Sequence, residues 1–122
     1  MANKRVMIVD DDKELLDELG EALALSGYDM VPVEGGSSAL EMVSKVNPDV
    51  ILLDLKMPGK SGFQLADEIR HVPEFSRIPI IAMTGFFKEG FGPLMEMCGI
   101  KKYLKKPFNP LNMIFEIESV LK

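Results

Sequence analysis

Residues 49–63 read DVILLDLKMPGKSGF. The run Val50 to Asp54 is apolar without alternation until its last residue, which is how a strand buried on both faces of a parallel sheet reads. Met57-Pro58-Gly59 supplies turn residues. Ser61 then stands where a helix cap belongs, ahead of Phe63, Leu65, Ala66 and Ile69 at helical spacing. Strand, loop and helix thus follow each other within one short stretch, with a lone carboxylate at the strand's end.

Working outward, the same alternation recurs along the chain. Strands are expected at Arg5 to Val9, Tyr28 to Val33, Ile78 to Thr84 and Lys102 to Lys105, giving five with Val50 to Asp54. Between them, Leu15, Leu16, Leu19, Ala22 and Leu23 share one helical stripe. Asp11 and Asp12 both offer this helix an N-cap, and Gly27 ends it. Ser37 or Ser38 opens a second helix with Leu40, Val43 and Val46 facing inward, until Asn47-Pro48 stops it. The last helix starts at Asn109 or Pro110 and runs to Leu121, with Met113, Ile114, Ile117, Val120 and Leu121 on one arc. Strands alternating with helices predict an α/β fold, a parallel sheet covered by helices on both faces.

Phe86 to Gly99 is the least regular part. Gly90, Gly92 and Pro93 fall where a fourth helix should begin, and glycine inside a helix costs about 1 kcal/mol against alanine. The expectation is a mobile loop through Gly92, then a short helix over Leu94 to Cys98 with Pro93 at its first position.

The 122 residues form one expected domain, 1–122, with 47% hydrophobic and 27% charged residues, the balance of an ordinary globule. No apolar run approaches the ~20 residues needed to cross a bilayer. Met1-Ala2-Asn3-Lys4-Arg5 passes into a strand without a secretory signal, so a cytoplasmic location is expected. The single Cys98 has no disulfide partner, and no cysteine–histidine cluster has zinc spacing. Net charge is −5, and the basic residues are scattered apart from Lys101, Lys102, Lys105 and Lys106, which argues against direct nucleic-acid binding. No segment suggests membrane attachment.

In open parallel sheets, ligands bind beyond the carboxyl ends of the strands. The first strand ends in Asp10-Asp11-Asp12, the third in Asp54, the fourth in Thr84-Gly85 and the fifth in Lys105-Lys106-Pro107. Clustered carboxylates repel unless a cation joins them, and magnesium, a hard cation, takes oxygen ligands. A carboxylate can also attack phosphorus, while a metal and a lysine neutralise the transferred oxygens. Asp54 is the natural nucleophile. Each residue has a blander reading: the acids as helix caps, Thr84 as a strand-end hydroxyl, Lys106 as part of a basic patch. Their joint occurrence at successive strand ends favours the chemistry. His71, near the end of the third helix, is read as exposed and without a role.

The stretches RVMIVDDD, DVILLDLKMPGKSGF, IIAMTG and KKYLKKPF together resemble the receiver domain of two-component response regulators, over the whole chain. The resemblance implies a doubly wound, flavodoxin-like (βα)5 sandwich with strand order 2-1-3-4-5. It implies Asp54 as phosphoacceptor and Mg2+ held by Asp10, Asp11, Asp54 and the Lys56 carbonyl. Thr84 and Lys106 complete the site, Tyr103 occupies the place of an aromatic switch, and Pro107 commonly follows a cis bond. The implied partners are a sensor histidine kinase or histidine phosphotransfer protein, and a downstream effector.

Lys56 and Phe86 stand two residues after Asp54 and Thr84, where a long cation and a bulky ring are expected to screen the acyl phosphate from water. Phe86, Phe87 and Phe91 form a lid or partner patch, or else fill core. Leu111 and Phe115 lie off the main arc of the last helix and suit an effector contact or a weak homodimer. No output domain is expected after that helix, which suits either a free-standing regulator or a piece of something longer. The competing functions are a phosphorylation-independent adaptor, an aspartate-nucleophile phosphatase and a flavin carrier. Phosphatases of that kind need a second acid two residues after the nucleophile, and Lys56 is there. The acidic strand ends would repel a flavin phosphate.

Overall fold

A computed structural model describes residues 3–121; Met1, Ala2 and Lys122 lie outside it, and with them the extreme ends of the 1–122 domain and of the leader reading. Five parallel strands form one sheet: β1 (Arg5–Asp10), β2 (Asp29–Glu34), β3 (Val50–Asp54), β4 (Ile80–Thr84) and β5 (Ile100–Lys105). Their order across the sheet is β2-β1-β3-β4-β5. The helices are α1 (Lys13–Leu25), α2 (Ala39–Val46), α3 (Gly62–Arg70), α4 (Phe91–Met97) and α5 (Pro110–Leu121), with one 3-10 turn at Pro73–Phe75.

Successive side chains of a strand point to opposite faces, and this period divides the core in two. Met7, Val9, Ile51, Leu53, Ile80 and Ala82 face Val43 of α2, Leu65 and Ile69 of α3 and Met95 of α4. Val6, Ile8, Val50, Leu52, Ile81 and Met83 face Leu16, Leu19 and Leu23 of α1 and Met113 and Ile117 of α5. Every residue of β3 and β4 is buried, which accounts for their unbroken apolar runs. Each aliphatic side chain so buried contributes about 1.5–3 kcal/mol.

Local signals set the helix ends. The Asp12 side chain accepts the Leu15 N–H at 3.2 Å, so Asp12 rather than Asp11 caps α1. Ser61 and Gln64 form a reciprocal capping box at the start of α3. Asn47 closes α2 in the left-handed region at φ 54°, ahead of Pro48.

Three expected boundaries require correction. Helix α4 begins at Phe91, three residues before Leu94, and ends at Met97. The first N–H groups of a helix have no intrahelical acceptor, so Gly92 and Pro93 cost little there. Gly90 turns the chain in at φ 94°, and Phe91 packs edge-on against Phe63 with ring centroids 5.2 Å apart. Strand β4 begins at Ile80, not Ile78: the Ile78 N–H is spent on the Phe75 carbonyl, and Pro79 has no N–H to donate. Strand β5 begins at Ile100, because the pairing jumps from Ile80–Ile100 to Ile81–Lys102 and leaves Lys101 as a bulge. Two lysines beside a bulge hide the strand's start from any hydrophobic pattern.

Candidate functional site

Sheet register brings the predicted residues together. Val9 pairs with Leu53 and Asp54 with Met83, so the ends of β1, β3 and β4 lie side by side. Thr84 pairs with Lys105, and the Lys106 N–H donates to the Thr84 carbonyl at 2.7 Å, which ties β5 to the same edge. Carboxylate oxygens of Asp10, Asp11 and Asp54 all lie within 4.8 Å of one another. Asp10 and Asp54 are buried and Asp11 is exposed.

Each carboxylate oxygen has a definite environment. Both oxygens of Asp10 are engaged: Oδ1 accepts the Asp12 N–H at 2.9 Å, and Oδ2 pairs with Lys106 Nζ at 2.6 Å. Asp54 Oδ1 accepts the Lys56 N–H at 3.2 Å, while Oδ2 lies 3.5 Å from Lys106 Nζ. Oδ2 is therefore the less engaged oxygen of Asp54. Burial, then the charge of Asp10, push the Asp54 carboxyl up from 3.8 to about 6, against the lowering effect of Lys106 and the Lys56 N–H. The bonds to Asp10 and the charge of Asp54 raise the Lys106 ammonium above its ordinary range, although burial alone would lower it.

Three carboxylates against one ammonium leave a local deficit of positive charge. Oxygen-only donors around that deficit suit a hard dication, so the residues present fit Mg2+. The backbone runs Lys106 to Pro107 through a cis bond, as the resemblance implied.

Glycine at position 62 is part of the site, a role that nothing in its sequence surroundings marks. A Cβ there would collide with the Asp54 carbonyl oxygen and come within 2.7 Å of Leu55 Cα. Only glycine lets α3 start this close to the end of β3, and the Gly62 N–H donates to the Leu55 carbonyl at 3.1 Å.

The fourth strand's end is held in a local loop. Thr84 Oγ1 donates to the Phe86 carbonyl at 3.0 Å and accepts the Phe86 N–H at 3.2 Å. Phe86 is 58% exposed, with Lys88 Nζ 5.4 Å from the centre of its ring. Phe87 was not singled out as a partner of Tyr103, yet the two rings stack at 4.8 Å, and Phe87 also meets Phe91 at 5.7 Å. Tyr103 is exposed, facing outward. The spacing of Phe63, Phe87, Phe91 and Tyr103 carries no periodic signal, because the rings come from four separate elements. Leu111 and Phe115 are exposed on α5, as expected, and His71 is exposed at the end of α3.

Residues 6–118 match the family described as the response regulator receiver domain. The polar-differentiation response regulator DivK of Brucella ovis is 30% identical over 118 residues, 97% of this chain and 96% of that protein. The phosphate regulon transcriptional regulatory protein PhoB of Pseudomonas aeruginosa is 31% identical over the whole chain, which spans 53% of that protein. Among solved structures, the chemotaxis protein CheY4 of Vibrio cholerae superposes with a TM-score of 0.94 at 28% identity, covering 98% of this chain and 100% of that one.

Proposed function

The chain belongs to the response regulator receiver family of two-component signalling, and on that premise we propose that Asp54 accepts a phosphoryl group from a histidine kinase or histidine phosphotransfer protein and that the surface then switches for an effector. The observation that carries this is the buried Asp54 carboxylate, grouped with Asp10 and Asp11 and faced by the Lys106 ammonium.

In this reading Asp54 Oδ2 attacks phosphorus, the bond from phosphorus to the donor's histidine nitrogen breaks, and an acyl phosphate remains. Lys106 neutralises the transferred oxygens, releasing some of its hold on Asp10 to do so. Asp10, Asp11, Asp54 and the Lys56 carbonyl would hold Mg2+, which when bound would supply the further positive charge that two anionic reactants need. Thr84 reports the event: to reach a phosphoryl oxygen its hydroxyl must leave the Phe86 carbonyl. Tyr103 turns inward as Thr84 moves, and doing so breaks its stack on Phe87. Lys56 and Phe86 flank the acyl phosphate and slow its hydrolysis.

The chain acts as one receiver unit over 1–122, works in the cytoplasm, and turns over no small phosphoester. Among the described residues no helix is long and apolar enough to cross a membrane. Incubation with acetyl phosphate and Mg2+ should add one phosphoryl mass to the parent chain and none to Asp54→Ala. Equal labelling of both would place the phosphoacceptor elsewhere.

A further inference from the structure

A second concavity opens at the other end of the sheet, a cavity of about 790 Å3 at the amino ends of β4 and β5. Its charged lining consists of Arg70 from the end of α3, Arg77 ahead of β4, and Lys101 and Lys102 of β5. No acidic residue lines it, although the chain as a whole carries −5. Among the described residues none of these four cations has a carboxylate oxygen within 4.0 Å, whereas Lys13, Lys45, Lys60 and Lys106 each do.

Arg70 is the fixed part of this wall. Its Nη1 donates to the Phe75 and Ser76 carbonyls at 3.3 and 3.1 Å, and its Nη2 to the Gly99 carbonyl at 2.9 Å. Gly99 makes room for it: a Cβ at that left-handed position, φ 70°, would collide with Arg70 Nε. The guanidinium is thus half-buried on three neutral carbonyls, which orient it without balancing its charge, and burial lowers its pKa. The carboxyl end of α3 offsets part of that charge. The β-bulge at Lys101 falls at this rim, and bulges re-aim side chains where a strand borders a site.

Four cations without a carboxylate partner around one concavity focus a positive field at its mouth. The volume is that of a small-molecule site and far exceeds one phosphate ion. Guanidinium forks match phosphate oxygens in pairs, and Pro79 and Val120 add an apolar patch to the wall. We propose that this cavity binds a nucleotide-sized ligand carrying two or more phosphates, with Arg70 as preset floor and Arg77, Lys101 and Lys102 as closing arms. The site lies away from the Asp54 edge and does not depend on the phosphoacceptor reading.

The test titrates pyrophosphate and ATP separately into the full chain with EDTA present, so that no metal recruits them to the acidic edge, and follows backbone amide shifts. Saturable shifts at Ser76, Arg77, Gly99 and Lys101, half-complete below about 1 mM, are expected. Arg77→Ala and Lys101→Ala, both exposed positions, should each weaken binding about tenfold, as expected for loss of a hydrogen bond to a charged group. Equal affinity for the two probes identifies polyphosphate as the recognised part; tighter ATP adds the nucleoside. Either supports the site. Shifts reproduced by sulfate at matched ionic strength, shifts confined to the Asp54 edge, or variants that bind like the parent would overturn it.

Discussion

Two clusters at opposite ends of the sheet carry opposite charge and are built by different means. At the carboxyl end, Asp10, Asp11 and Asp54 stand against the single ammonium of Lys106. At the amino ends of β4 and β5, Arg70, Arg77, Lys101 and Lys102 line a cavity that no acid lines. The first end is assembled from the last residues of consecutive strands, so parallel register alone brings its groups together. The second is assembled from a helix terminus, a connecting turn and a bulge. The lysine cluster read from the sequence as one patch is divided between them, with Lys101 and Lys102 at one end and Lys106 at the other. Charge placement in this fold therefore follows the direction of the strands and not distance along the chain.

The sharpest way to break that contrast is to remove the one cation of the acidic end. Lys106→Ala, in excess Mg2+ and checked by circular dichroism for folding, should slow labelling by acetyl phosphate roughly 10²–10³-fold, as loss of one preorganised charge stabiliser does. A decrease no greater than that of Lys45→Ala, an exposed lysine on α2, would deny Lys106 its place in the chemistry.

A smaller effect follows from the carboxyl of Asp54. Its folded value, about 6, lies above the ordinary 3.8, so the fold resists its ionisation. The resulting penalty is absent below 3.8, grows through the window between the two values and is complete above 6. Without metal, Asp54→Asn should therefore unfold at higher urea than the parent above that window, by on the order of 2 kcal/mol, and the gain should vanish below it. A gain of the same size on both sides of the window would mean that packing, and not charge, sets the difference.

The smallest expected effect lies between the two ends, on β5, where Tyr103 leans on Phe87. Phe87→Ala should cost about 0.5–1.5 kcal/mol, the worth of an aromatic pair beyond its burial. The chain has two tyrosines and no tryptophan, so Tyr28→Phe leaves Tyr103 as the only emitter for acrylamide quenching. Loss of the stack should change Tyr103 quenching in the unphosphorylated chain; unchanged quenching would show that Phe87 does not hold the ring.

Much of the acidic end was legible beforehand because every group there ends a locally encoded strand. Val50 to Asp54 announces both a buried strand and the carboxylate that finishes it. The sequence reading failed where packing overrode propensity: Gly92 and Pro93 argued for a loop, but at unpaired first-turn positions they cost little, and Phe63 anchors Phe91. The role of Gly62 was hidden for a related reason, since a glycine after a capping serine looks like any turn residue until the Asp54 carbonyl is placed against it.

The alternation of strands and helices, the five residues gathered at the acidic edge and the family resemblance were all present in the chain as written, because they depend on periodicity and on residues at strand ends. Packing between distant elements set which oxygen of Asp54 is the less engaged, which way Tyr103 faces, and that four cations share one cavity. Those are matters of crossover, bulge and side-chain contact between elements far apart in the chain, and no local pattern encodes them.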